Sequence, residues 1–294
     1  MYYNSIDNIR WYYFKQIFEN KIRIEESKIL FLGDSRLETN VDVKKIPNSW
    51  TFAAGGSSPI EMYYCMKHYI KNYSNPDTVF ISFSPRTLIQ AYSFWGYAVR
   101  NHYFTTIEFK QINSNLQLFP ADTVLGNYPV LNYLLYKFNY IEYHQDDLSK
   151  NYVFLAKKDN EMAIKHFQVE RGAWVYPNLK NGCSELNFET KLKSFNPSRL
   201  LDFYFLEILN LCKKRNIHVI FDFMPMNETS YQKLNQNFVL GYKSYIQKMA
   251  SQFPEFTFSD TVYCYNDQYF GDASHLNSIG KEQFTKYLCT KYFK

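Results

Sequence analysis

Cysteine is scarce and scattered in this chain of 294 residues. Cys65, Cys183, Cys212, Cys264 and Cys289 are odd in number and hold no Cys-x-x-Cys pair, which excludes a zinc cluster or disulfide framework of the usual spacings. No stretch approaches the roughly 18 apolar residues of a membrane-spanning helix. Met1 to Arg10 lack the apolar core of a signal peptide, so the chain taken alone reads as soluble and cytoplasmic. The formal charge of +5 is spread out rather than gathered into a Lys/Arg run, so nucleic acid is not an expected partner. A Gly-x-Ser-x-Gly elbow, a phosphate loop, a dinucleotide fingerprint and a zinc-protease motif are all missing. His68, His102, His144, His166 and His218 lack paired ligand spacing, and neither a metal nor a cofactor is expected.

What is present is apolar and aromatic. Apolar residues make up 46% of the chain and aromatics 19%, enough for a substantial core. The many Tyr, Phe, Lys, Asn and Ile residues are read as a bias toward A/T-rich codons rather than a special function. An aromatic amphipathic helix is expected up to about residue 26, with Trp11, Phe14, Ile17 and Phe18 crowding one side. Strands follow at 28–33, 50–53 and 78–83, and Ser58-Pro59 supplies an N-cap and first-turn proline for a helix to about residue 71. Later come a helix at 199–215, a strand at 217–222, a helix at 229–251, a short strand at 256–258 and a closing helix at 278–292. Such alternation predicts an α/β fold with a parallel sheet whose carboxyl edge gathers the functional residues.

Two segments carry chemistry. Gly33-Asp34-Ser35-Arg36 follows the apolar run Lys28 to Leu32 and reads as a strand emptying into a tight turn, which Gly33 would permit. Asp272-Ala-Ser-His275 lies near the other end of the chain. A serine hydroxyl keeps its proton at neutral pH, so it needs a base within reach and a group to orient that base. His275 and Asp272 supply both, and strand-to-helix turns expose backbone N–H groups that can hold an oxyanion.

On these residues the chain resembles the SGNH, or GDSL-type, hydrolase and acyltransferase superfamily. Leu32-Gly33-Asp34-Ser35 matches its first block, Ala54-Gly55-Gly56-Ser57-Ser58-Pro59 stands at the second, and Asp272-Ala-Ser-His275 matches the last. The third block departs, because Ser84 of Ser82-Phe83-Ser84-Pro85-Arg86 occupies the slot of the family's asparagine. With Arg36 in place of the usual leucine, the pattern is most similar to the branch that acylates or deacylates bacterial cell-envelope polymers, including polysaccharide O-acetyltransferases and the SGNH-type protein of teichoic-acid D-alanylation. The resemblance implies a flavodoxin-like SGNH fold of about five parallel strands, as a single domain over residues 1–294. It implies Ser35 as nucleophile, His275 as base and Asp272 as its orienting carboxylate, with Ser35, Gly56 and Ser84 around the oxyanion. For Ser84 an ordinary strand-end role weighs equally, and for Gly56 close strand-to-helix packing nearly so.

Residues 87–195 break the alternation and are read as a helical insertion over the catalytic edge. Its apolar segment from Tyr128 to Tyr140 is expected mainly in the core. Arg36, Arg86, Arg171 and Trp174 are candidate contacts for an anionic or sugar substrate. The expected partners are a glycan or an acyl donor and, by the resemblance, a membrane acyltransferase. An envelope role conflicts with the missing signal, so either an anchor precedes this sequence or the protein works inside the cell. The rival reading is a catalytically inactive member of the fold that binds glycan or a partner in envelope assembly.

Overall fold

The strands of this fold are apolar at successive positions because both faces of the sheet are covered. They are β1 (Ile29–Gly33), β2 (Ser49–Thr51), β3 (Thr78–Ser82), β4 (His218–Phe221), β5 (Met226–Asn227), β6 (Thr257–Phe258) and β7 (Cys264–Tyr265). The computed structural model describes residues 6–138, 153–174 and 182–293. In it β2-β1-β3-β4-β6 form one five-stranded, all-parallel sheet of flavodoxin-like order, while β5 and β7 pair separately. Side chains sort with a period of two: Leu30, Leu32, Val79, Ile81, Val219 and Phe221 enter one core, and Phe31, Phe80 and Ile220 the other.

The helices are α1 (Ile6–Phe18), α2 (Ser35–Asn40), α3 (Pro59–Asn72), α4 (Pro85–Ile89), α5 (Thr106–Leu116), α6 (Pro129–Phe138), α7 (Val153–Val169), α8 (Arg199–Lys214), α9 (Glu228–Tyr231), α10 (Gln236–Gln252) and α11 (Ser278–Tyr292). Helices α1, α3, α8 and α10 supply the larger core, through residues such as Trp11, Tyr69, Leu201 and Tyr242. Helices α2 and α11 cover the other face with Leu37, Phe284 and Leu288. Helix α3 starts where Ser58 and Glu61 close a capping box before Pro59. Helix α1 is fastened to α2 by a buried ion pair between Arg10 and Glu38.

Several boundaries differ from expectation for local reasons. Helix α1 ends at Phe18, and Asn20 soon after takes a left-handed φ of 57°. The expected helix at 229–251 is two helices, because Asn227 and Asn235 each cap a separate start. The expected core placement of the segment from Tyr128 holds for Tyr133, which is buried, but Val130, Leu131, Leu135 and Phe138 are more than half exposed. The rest of that segment, residues 139 and 140, lies outside the described residues. Gly33 does not serve a left-handed turn: a Cβ there would stand 2.1 Å from the Ser82 carbonyl oxygen, so the close approach of β1 to β3 requires glycine.

Candidate active site

Three strand ends deliver the site. Asp34 follows β1 and caps α2, accepting the Arg36 N–H at 3.0 Å. Its other oxygen accepts the Ser84 N–H at 2.8 Å and the Thr87 hydroxyl at 3.0 Å, beyond the end of β3. One buried carboxylate therefore ties the Ser35 turn to the Ser84 turn. Ser35 stands at the first position of α2, partly exposed.

The far end of the chain returns to this point. His275 Nε2 lies 3.0 Å from Ser35 Oγ, and His275 Nδ1 lies 2.8 Å from Asp272 Oδ2. A carboxylate only accepts, so the Asp272 contact puts the proton on Nδ1 and leaves the Nε2 lone pair for the Ser35 hydroxyl. Asp272 Oδ1 accepts the backbone N–H groups of Ser274 at 2.8 Å and His275 at 2.9 Å. Burial raises the Asp272 pKa, but the His275 hydrogen bond and charge and these two amides outweigh it and hold the carboxyl down at about 2.

Two buried asparagines fix the loop that carries His275. Asn40, the last residue of α2, accepts the Leu276 N–H at 2.8 Å and donates to the Ser274 carbonyl at 3.4 Å. Asn227 donates to the Ala273 carbonyl at 2.7 Å and to the Ser184 carbonyl at 3.1 Å. The β5–β7 pairing places Asn227 there, and these two-residue strands carry no periodicity that would betray them in sequence. Asp34, Thr87, Asn40 and Asn227 are positioning residues to which the sequence reading gave no role. Asp34 alone had a signal, as a capping carboxylate directly before a turn.

Gly56 completes the edge. It sits at the third position of a turn closed by Ser57 N–H to Ala54 O, with a φ of +68° that favours glycine. Ser93 Oγ donates to the Gly56 carbonyl at 2.9 Å, and among the described residues no backbone carbonyl accepts from the Gly56 N–H. Ser84 Oγ accepts the Thr87 N–H at 3.4 Å as the cap of α4, so its acceptor side is engaged by the helix.

Ser35, Arg36, Gly56, Ser84, Arg86 and His275 line one pocket of about 370 Å³, together with Tyr92 and residues 185–189. From the segment 87–195, only its two ends are among the described lining. Arg36 is buried and ion-paired with Glu189. Arg171 and Trp174 do not join the pocket. The Arg171 guanidinium donates to the Ile46 carbonyl at 3.2 Å, and the Trp174 amide donates to Glu38 at 3.1 Å while its ring packs on His166 and Phe167. Both residues hold the flank of β2 and α2. No group of three or more His, Cys, Asp or Glu capable of holding a metal occurs among the described residues. None of the described helices is long and apolar enough to cross a membrane. No protein-family model and no curated protein matches the chain.

Proposed function

We propose that the protein is a serine-dependent acyl-transfer enzyme of the SGNH type, moving an acyl group, acetyl in the first instance, to or from a cell-envelope glycan. The observation that carries this reading is the continuous relay from Asp272 through His275 to Ser35, with contacts of 2.8 and 3.0 Å, opening on a pocket. Ser35 Oγ attacks the ester carbonyl while His275 Nε2 takes its proton. The N–H groups of Ser35 and Gly56 hold the oxyanion, each on a turn that leaves its donor free of a backbone acceptor among the described residues. The imidazolium, its charge balanced by Asp272, then protonates the departing alkoxide and leaves an acyl-Ser35. A sugar hydroxyl gives its proton to the same Nε2 and attacks the acyl carbon, which releases Ser35. Water in place of the sugar makes the enzyme an esterase.

One observation favours a second reading, that of an inactive relative binding glycan or a partner protein. Position 84 brings a capping serine where the superfamily's asparagine would donate to the oxyanion. A fluorophosphonate probe decides between the two. Covalent labelling of the wild-type protein that vanishes in Ser35→Ala and His275→Ala, both still folded, supports the enzyme. Absence of labelling in the wild type, or full labelling of Ser35→Ala, refutes it.

A further inference from the structure

Charged groups on the pocket wall are unequally satisfied. Glu189 is paired with Arg36, Glu185 with Lys233 and Thr190, and Asp34 is saturated by amide and hydroxyl donors. Arg86 has no carboxylate partner among the described residues. Its guanidinium lies over the rings of Tyr92, at 4.8 Å, and Phe188, at 5.2 Å, and its Nε is buried without a hydrogen-bond acceptor among the described residues. Arg36 adds a second donor: its side chain is 7% exposed, and Nη1 has no partner among the described residues although the group lines the same pocket. Rings stacked on a guanidinium fix its plane and leave the N–H edge for an acceptor, a geometry suited to bidentate anions.

Its place is equally specific. The Tyr92 ring also packs on Gly56, where an added Cβ would stand 2.9 Å from Tyr92 Cδ1. The Arg86 guanidinium therefore lies on the Gly56 side of Ser35, one aromatic ring away from the Gly56 turn. We propose that this pocket recognises an anionic group of its substrate, a carboxylate or a phosphate, through Arg86 with Arg36 behind it. The identification of that ligand as substrate rests on the acyl-transfer reading above, but its binding does not.

Calorimetric titration of the full chain tests the proposal without requiring turnover. Glucuronate is compared with glucose, and glycerol 3-phosphate with glycerol, so that the two arms separate carboxylate from phosphate. At least one anion should bind tenfold or more tightly than its neutral twin, and Arg86→Gln should reduce that preference to below threefold, with Arg86→Lys in between. Equal binding within both pairs in the wild type overturns the proposal, as does an undiminished preference in Arg86→Gln. The wild-type comparison stands even if a variant fails to fold. An anion preference in a protein that no fluorophosphonate labels would sink the acyl-transfer reading alone, and labelling without the preference would sink this one alone.

Discussion

Replacing Asp34 tests whether the site is built by the carboxylate that joins two turns. In Asp34→Ala three donors lose their acceptor: Arg36 N, Ser84 N and the Thr87 hydroxyl. The Thr87 hydroxyl also lies 3.0 Å from the Ser84 carbonyl and can turn its proton there. The loss then falls on two buried amides, at about 1–3 kcal/mol for an unsatisfied donor and about 1 kcal/mol for a missing helix cap. The sum is roughly 2–4 kcal/mol, a large share of the stability of an ordinary domain. Asp34→Asn should fall between Ala and wild type, because its single carbonyl oxygen can serve the Ser84 side or the Arg36 side but not both. Urea unfolding measures the stability, and the rate of fluorophosphonate labelling reports how far Ser35 has drifted from His275. If Asp34→Ala unfolds within about 0.5 kcal/mol of wild type, the loss expected of a buried, doubly used acceptor is not there and the two turns are held by something else.

Other perturbations separate the remaining interactions. Burial pushes the Glu61 carboxyl up to about 7 against the lowering hydrogen bonds from Ser58, so the folded state holds its proton more tightly than the unfolded chain. Stability should therefore fall as pH rises from about 4.5 to about 7, by about 3 kcal/mol in total, and Glu61→Gln should flatten that slope in urea melts at pH 5 and pH 8. Asp272 runs the other way: its depressed pKa contributes stability above about pH 4 that is lost as pH falls toward 2. With a side chain 45% exposed, the solvent-screened contribution is about 1 kcal/mol, so the gap between wild type and Asp272→Asn should close over that acid range. Ser84→Asn keeps a good helix cap and adds an amide donor beside the pocket, so hydrolysis of 4-nitrophenyl acetate should rise severalfold. An unchanged or lower rate in a folded variant would place the oxyanion away from residue 84.

The sheet was readable because its strands are buried on both faces, so Leu30 to Leu32 and Val79 to Ile81 stand out as unbroken apolar runs. Helix α3 was readable because Ser58 and Pro59 are start signals acting through the local backbone, to which the structure adds Glu61 as the second half of a capping box. Ser35, His275 and Asp272 could be nominated because a hydroxyl directly after an apolar strand and a carboxylate three residues before an imidazole make one proton-transfer unit as a pair, although 240 residues separate Ser35 from His275. What holds them was hidden. Asn40 and Asn227 act across 236 and 46 residues on backbone groups of the His275 loop, and nothing near either one marks it. Trp174 and Arg171 misled for the converse reason: composition makes them recognition residues, but their own neighbours in the fold use their amide and guanidinium groups.

The departure at position 84 bears on how the proposed reaction could be fast enough to matter. One oxyanion donor is worth roughly 2.7–4 kcal/mol of transition-state stabilisation, and a hole resting on the Ser35 and Gly56 amides forgoes that contribution. Rigidity recovers part of it. Asp34 pins the first turn, and Ser93 pins the second by donating to the Gly56 carbonyl, so both amides are held before the substrate arrives. The rest must come from substrate groups remote from the scissile bond, since such contacts raise turnover when they are made in full only as the reacting atoms reach their places. The Arg86 guanidinium reaches the Gly56 turn through the Tyr92 ring. Under the proposed function, the serine at residue 84 and a cation at residue 86 with no carboxylate partner among the described residues are complementary features of one short helix: the first would make small neutral esters poor substrates, and the second would favour a substrate large enough to bring an anion with it.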